Sequence, residues 1–341
     1  MLANLQNDAQ LRDAADQLSG EIYASAQSTY LENSRVVRDA VTTRLAQANL
    51  DAYGIGPASN QPVKTQSNGL AWWGQSVGSW GHEDGTSNNA ALSRSTGGVL
   101  AGADMPVGES SRIGAVGGYT KTSLGVPQRS SSLSSDDVYV GFYAGTSLGA
   151  LTLSAGGDYT RHGVTANRRV MTADFVDSAR SSTAARTAEF YGNAAYRFSF
   201  KKAIVEPFAQ VAYIKLATDS FQERDSIMAL AVQGNRRAVT YTTLGTRGAT
   251  HFVFQGDSFT AHASLGWRHV SGNLKAGTAL AFADASVFAV QGLPMARNAV
   301  TVNAGIDVTV NKSMKLGVAY DAQIAAHTVD AGVRGQVSWR F

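Results

Sequence analysis

Asn298-Ala299-Val300-Thr301-Val302-Asn303-Ala304-Gly305-Ile306-Asp307-Val308-Thr309-Val310 alternates apolar residues with small or polar ones along its whole length. Val300, Val302, Ala304, Ile306, Val308 and Val310 share one face; Thr301, Asn303, Gly305, Asp307 and Thr309 share the other. A period of two is that of an extended strand, whose successive side chains point to opposite faces. Its length separates two kinds of sheet. Strands of soluble domains cluster near about 5–6 residues, whereas a tilted strand needs about 9–11 to cross a bilayer.

The same pattern recurs at Phe259–His269, Leu151–Thr160, Glu189–Phe200 and Met314–Asp321. Short connections are expected at Met105–Ser110, Leu148–Ala150, Phe200–Ala203, Gln255–Ser258 and Asn311–Ser313. Longer polar ones are expected at Glu83–Asn89, Leu124–Ser135, Thr165–Ala184, Phe221–Asn235 and Ser271–Pro294. Short turns on one side and long loops on the other characterise outer-membrane barrels. The segments between them number about twelve: 70–83, 90–104, 111–123, 136–148, 150–164, 185–199, 203–219, 236–254, 258–270, 295–310, 313–325 and 328–341. Alternation is weakest in 236–254. An even number brings the first and last strands together antiparallel, so the sheet closes without an edge. The predicted fold is an all-β transmembrane barrel of about 12 antiparallel strands.

Composition agrees. Charged residues are 16% of the 341, Gly numbers 35 and Pro 6, and there are 12 Tyr and 13 Phe. Lipid-facing strands want apolar and aromatic residues, and a crowded lumen favours small ones. With no Cys, disulfide and thiolate chemistry are excluded. A net charge of +3 gives no sign of nucleic-acid binding. No run of about 18 apolar residues is present, so no transmembrane helix is expected. Met1-Leu2-Ala3-Asn4 does not open a leader peptide, and none is expected in this chain.

Residues 1–48 read differently. Leu11, Ala14, Ala15, Leu18, Ile22, Ala26 and Thr29 recur at three-to-four spacing. Ser19 is placed to cap a helix starting near Gly20. A helix over 20–47 is roughly 40 Å long at 1.5 Å per residue, about a bilayer with its headgroups. Its small side chains suit it to a pore, although a solvent-facing amphipathic helix or a coiled coil has the same period. Residues 49–69 read as a connector, rich in Gly, Pro, Asn and Ser, and 70–341 as the barrel.

The chain ends Val333-Arg334-Gly335-Gln336-Val337-Ser338-Trp339-Arg340-Phe341. Val337, Trp339 and Phe341 lie on one apolar face and are similar to the C-terminal signal that the barrel assembly machinery reads. Three features together resemble the translocator (β) domain of a monomeric bacterial autotransporter of type V secretion. They are the segment Leu18-Ser19-Gly20-Glu21-Ile22-Tyr23-Ala24-Ser25 with Ser34-Arg35 and Arg38-Asp39-Ala40, the strand opened by Glu206-Pro207-Phe208-Ala209 and running to Tyr213, and the terminal Trp339-Arg340-Phe341. The resemblance covers essentially the whole chain. It implies an N-terminal helix in the lumen, location in the Gram-negative outer membrane, and secretion of an N-terminal passenger absent from this chain. Outer-membrane lipid and lipopolysaccharide, the barrel assembly machinery and the passenger are the implied partners. The chain is expected to be a monomer with no cofactor, metal or catalytic residue of its own. In some members the passenger is cut off by cyclisation of an Asn, and Asn4 and Asn7-Asp8 are available.

Face parity selects inward charges Asp158, Glu189, Arg197, Glu206, Arg247, Arg268, Asp307, Asp321 and Arg334. They are expected to pair with Glu32, Arg35, Arg38 and Asp39 of the helix or with one another. Gly256-Asp257-Ser258-Phe259 is similar to an esterase nucleophile block, but no Asp stands three residues before His327, and the block reads as a turn. His262 and His269 fall on opposite faces and make no metal pair. Arg168-Arg169 and Arg236-Arg237 are placed in outer loops, within reach of lipopolysaccharide phosphates. Two other classes share the wall: an outer-membrane enzyme barrel, protease or phospholipase, and a passive twelve-stranded porin.

Overall fold

The computed structural model describes residues 8–53, 55, 69–172, 175–283, 285–311 and 313–340. Three helices come first: α1 (Asp8–Leu18), α2 (Glu21–Asn33) and α3 (Arg35–Tyr53). Seventeen strands follow: β1 (Ala71–Glu83), β2 (Leu92–Val107), β3 (Ser111–Val126), β4 (Ser131–Leu148), β5 (Leu151–Thr172), β6 (Phe175–Tyr196), β7 (Phe198–Ser199), β8 (Ala203–Thr218), β9 (Phe221–Gln222), β10 (Leu230–Val232), β11 (Arg236–Phe254), β12 (Asp257–Gly272), β13 (Gly277–Phe282), β14 (Phe288–Gln291), β15 (Asn298–Thr309), β16 (Met314–Ala325) and β17 (Thr328–Arg340). β7 continues β6 past Arg197, so the antiparallel wall counts twelve strands. β8 pairs with β11, and β1 with β17 from Ala71↔Arg340 to Glu83↔Thr328, which closes the sheet.

Outward faces carry the large apolar side chains. Phe142 and Phe190 are each 70% exposed, which in water would be an aggregation hazard and in lipid is the favourable state. Trp72, Trp339, Tyr196, Phe198 and Phe254 ring the end that holds the C-terminus; Trp80, Tyr119, Tyr159, Tyr213 and Trp267 ring the other. These are the two girdles expected at the membrane interfaces. The end with short turns and the C-terminus is periplasmic, and the end with long excursions is external.

Two of the expected long loops are mostly strand among their described residues. Leu124–Ser135 and Thr165–Ala184 continue the wall, and β5 and β6 reach 22 residues each. Beyond the girdle, water replaces lipid, so the outward positions turn polar and the alternation fades from the sequence. Arg168-Arg169 and Arg236-Arg237 therefore lie in strands, not loops: Arg168 and Arg237 point inward and are buried, while Arg169 and Arg236 point outward. Phe221–Asn235 and all of Ser271–Pro294 but its first two residues, which end β12, leave the wall, and they hold β9, β10, β13 and β14, which pair into a sheet of order β14-β13-β10-β9. The 236–254 segment is one full strand.

Ser19 links α1 to α2, donating its hydroxyl to Asp16 O at 2.7 Å and accepting Glu21 N–H at 3.3 Å. Gly20, at φ 68°, turns the chain where few other residues fit. α2 and α3 are parted by Ser34 alone, whose hydroxyl donates to Leu31 O at 2.9 Å. The helix extends to Tyr53, beyond the expected boundary at 48. Every residue of α2 is buried. Ile22, Tyr30, Leu31, Val37 and Val41 pack against Leu92, Leu124, Leu133, Val164, Tyr241 and Leu280, so the hydrophobic core lies inside the barrel.

Candidate functional site

The site is the occupied lumen. Its contacts change along the axis because the helix residues meet different heights of wall. At the outer mouth the β9-β10-β13-β14 sheet closes over α2. Leu293 donates its N–H to Ser25 Oγ at 3.1 Å and accepts from Ser28 Oγ at 3.1 Å. A Cβ on Gly292 would stand 2.3 Å from Ser25 N, so the loop backbone touches the helix backbone there. Tyr23 Oη donates to Glu223 at 2.7 Å, and Glu223 also accepts from Arg168 Nε at 3.0 Å and from Leu230 N–H at 2.9 Å.

One turn further in, charges take over. Arg94 on β2 reaches Glu32 on α2 and Asp330 on β17, and lies 3.7 Å from Glu83 on β1. Arg35 of α3 meets the same Asp330 at 2.9 Å. Gly81 makes this crossing possible: a Cβ there would sit 2.8 Å from Arg94 Nε. Arg38, 1% exposed, pairs with Glu189 on β6 and lies 5.6 Å from the Tyr241 ring centroid. Asp158, on the strand beside Glu189, has one carboxylate oxygen without a hydrogen-bond partner.

Near the periplasm, Arg44 donates from Nε and Nη2 to Asp104 on β2 at 2.7 and 3.0 Å. Such two-pronged pairs fix geometry as well as charge. Asp104 also accepts Arg112 Nε at 2.6 Å and Tyr143 Oη at 3.1 Å, and Tyr143 accepts Trp73 Nε1 at 2.7 Å. Gln47 donates to Asp307 at 3.3 Å. Asp51, near the end of α3, is held by Lys315 and Arg340.

The expected inward charges divide into two sets. Arg38–Glu189 joins helix to wall. Arg197 and Arg247 both hold Glu206, at 2.7 and 2.6 Å, within the wall. Arg334 holds Asp321 at 2.5 Å and donates to Thr43 of α3 at 3.2 Å. Arg268 donates to Gln323 at 2.8 Å and lies over the Tyr241 ring. Asp39 faces a cavity of about 180 Å³ between α3 and the β8, β11, β12, β15, β16 wall, lined by Arg35, Arg247, His262 and Asp307. A gap therefore remains between α3 and this part of the wall.

Arg44, Asp104, Arg94, Asp330, Asp51 and Arg340 were missed by the sequence reading. Asp330 shares the even-numbered face of Arg334 on one strand, so parity alone marks it. Val337 and Trp339 face outward; Phe341 lies outside the described residues, as do Asn4 and Asn7. Gln255-Gly256 is the turn between β11 and β12, and Ser258 Oγ lies 3.4 Å from His251 Nε2 on an exposed hairpin. At the external rim, His82 and His327 lie 3.5 and 3.7 Å from Asp84, all three exposed, too long for a firm hydrogen bond. No described helix is long and apolar enough to cross a membrane; here strands do the crossing.

A family model described as the autotransporter beta-domain matches residues 72–321. An extracellular serine protease of Serratia marcescens is 33% identical over 333 residues, which cover 97% of this chain and 31% of that protein. The chain thus spans about a third of its curated relative. Among solved structures, the translocator domain of the autotransporter NalP from Neisseria meningitidis superposes with a TM-score of 0.67 at 14% identity, covering 92% of this chain and 99% of that one. The transport unit of AIDA-I from Escherichia coli gives 0.61 at 13% identity, covering 87% and 97%. At these identities the likeness is one of fold.

Proposed function

This chain belongs to the autotransporter beta-domain family and is an outer-membrane translocator barrel, and on that premise we propose that its helix is the tail of the transport route, held in the lumen by the Arg38–Glu189, Arg94–Glu32 and Arg44–Asp104 contacts. The observation that carries the reading is the direction of the helix. Its N-terminal end lies at the external mouth, under the loop sheet, and its C-terminal end at the periplasmic rim beside Arg340. A passenger joined ahead of α1 then emerges on the cell surface. The barrel itself is not the catalytic part of such a protein. The passenger's activity, a protease in the Serratia relative by its name, is a proposal for this protein.

In this reading residues 8–53 plug the pore and 70–341 form the barrel. Val337, Trp339 and Phe341 address the assembly machinery, and lipopolysaccharide surrounds the external half. Passenger release by cyclisation at Asn4 or Asn7 belongs to the same reading and is checked by sequencing the N-terminus of barrels recovered from outer membranes.

Deleting residues 8–53 tests the plug. Single-channel conductance in planar bilayers is expected to rise severalfold over the intact chain. An unchanged conductance, as a passive porin gives, overturns the proposal.

A further inference from the structure

We propose that the outer face of β3–β8, just beyond the external aromatic girdle, is a binding site for the phosphorylated glycolipid of the outer leaflet. The proposal rests on the membrane reading above and gives one of its partners a location.

Four of the five wall strands of that half carry an outward cation near the girdle, while β4 presents Asp136. Outward Tyr119 is followed by Lys121 on β3, Tyr159 by Arg161 on β5, Tyr213 by Lys215 on β8, and outward Arg186 lies two positions above Ala188 on β6. All four cations are exposed. The register puts Arg161 directly opposite Arg186 on neighbouring strands, with both side chains on the outward face. Like charges so placed repel and destabilise a sheet, so an unliganded wall gains nothing from this pair. Asp219 offsets Arg186 with two hydrogen bonds of 2.8 and 2.9 Å. Asp136, opposite Lys121, is engaged by Tyr119 Oη. No ion pair is made by Arg161, Lys121 or Lys215 among the described residues, and Lys215 lies 5.7 Å from the Tyr213 ring centroid.

The other half of the barrel is poorer in cations at this height, with Arg236 two positions beyond Ala238, the partner of Lys215, and Arg297 beside Asn298. At the same height it presents His269, Asn298, Ile324, Val329 and His82. A general attraction to anionic membranes needs no such one-sidedness. Above the belt, the extended β4, β5 and β6 turn Ser132, Ser134, Thr165, Asn167, Ser178 and Ser182 outward. Hydroxyl and amide groups directly above guanidinium and ammonium groups fit a sugar core above its phosphates. Apolar residues below the girdle take the acyl chains. Arginine and lysine are the side chains suited to phosphate. A simple phospholipid headgroup uses the cations and leaves the hydroxyl face unoccupied, so the glycolipid is the occupant that fits the whole surface.

The test measures binding of lipid A, with its two phosphates and with both removed, to the detergent-refolded full chain. The intact chain is expected to bind the phosphorylated form at least tenfold tighter than the dephosphorylated form. The triple variant Lys121→Gln, Arg161→Gln, Lys215→Gln is expected to lose most of that preference. A control with Lys201→Gln and Lys202→Gln at a periplasmic turn keeps it. Phosphatidylglycerol micelles are expected to bind at least tenfold more weakly than lipid A. Equal binding of both lipid A forms, equal binding of phosphatidylglycerol, or a triple variant that folds and binds normally each overturns the site. A chain that does not insert into phospholipid vesicles overturns the membrane reading instead.

Discussion

Arg44 of α3 and Asp104 of β2 form a two-pronged pair at 2.7 and 3.0 Å, and Asp104 is wholly buried beneath it. Asp104 gathers Arg44, Arg112 and Tyr143 at once, so it is the joint at which three strands and the helix meet. Asp104→Ala leaves two guanidinium groups facing each other without a counter-charge. Removing one partner of a buried pair costs about 3 kcal/mol or more. The folded band on semi-native electrophoresis is expected to convert at a distinctly lower temperature, and an unshifted conversion contradicts this role.

Arg38 and Glu189 give a reciprocal test. Arg38→Glu sets two buried carboxylates together, next to Asp158, and is expected to raise the frequency of open-channel events. Exchanging both residues, Arg38→Glu with Glu189→Arg, restores attraction and is expected to return conductance most of the way to the intact level. If single and double variants behave alike, the pair does not hold the helix.

The external lid depends on close backbone approach. Gly292→Val puts atoms where Ser25 N stands 2.3 Å from the first added carbon, so the loop has to lift. Limited proteolysis is expected to cut within 273–297 much faster in the variant, while the barrel core stays resistant. Equal cutting rates count against a lid clasped on α2.

The height of the membrane is testable on one strand. Phe190 and Ser182 both point outward on β6, eight positions apart. Phe190→Arg places a charge in the apolar band and is expected to cost about 2–4 kcal/mol. Ser182→Arg, above the girdle, is expected to cost about 0–1 kcal/mol by the same depth dependence. Unfolding in denaturant from vesicles reads both. Similar costs mean that the band is misplaced.

Much of this architecture was legible because lipid imposes the same demand on every strand. Val300 to Val310 needed apolar residues outward and tolerated Asn303 and Asp307 inward, so period and face could be read directly. That demand ends at the girdle. From Thr165 to Val170, β5 keeps apolar residues only on its inner face, at Ala166 and Val170, and it read as loop. The lid strands were too short for a period to form. In the lumen, parity gives the face of Glu189 or Asp321 but neither its height nor what stands across the pore. So Glu189 meets the helix and Asp321 meets its neighbour Arg334, and no spacing in the sequence distinguishes them.

The crossing of Arg94 over Gly81 has a mechanical consequence. A barrel made from one chain has a single junction between its first and last wall strands, here β1 against β17. At the external end Arg94 spans that junction from β2 to Asp330, and the helix is tied to both sides of it through Glu32 and Arg35. At the periplasmic end the helix again grips both sides, Arg44 on β2 and Asp51 on Arg340 of β17. The helix is thus a bolt across the zip of the wall as well as a stopper in its bore. Parting β1 from β17 sideways requires breaking these ties first, so an occupied barrel resists lateral opening more than an emptied one.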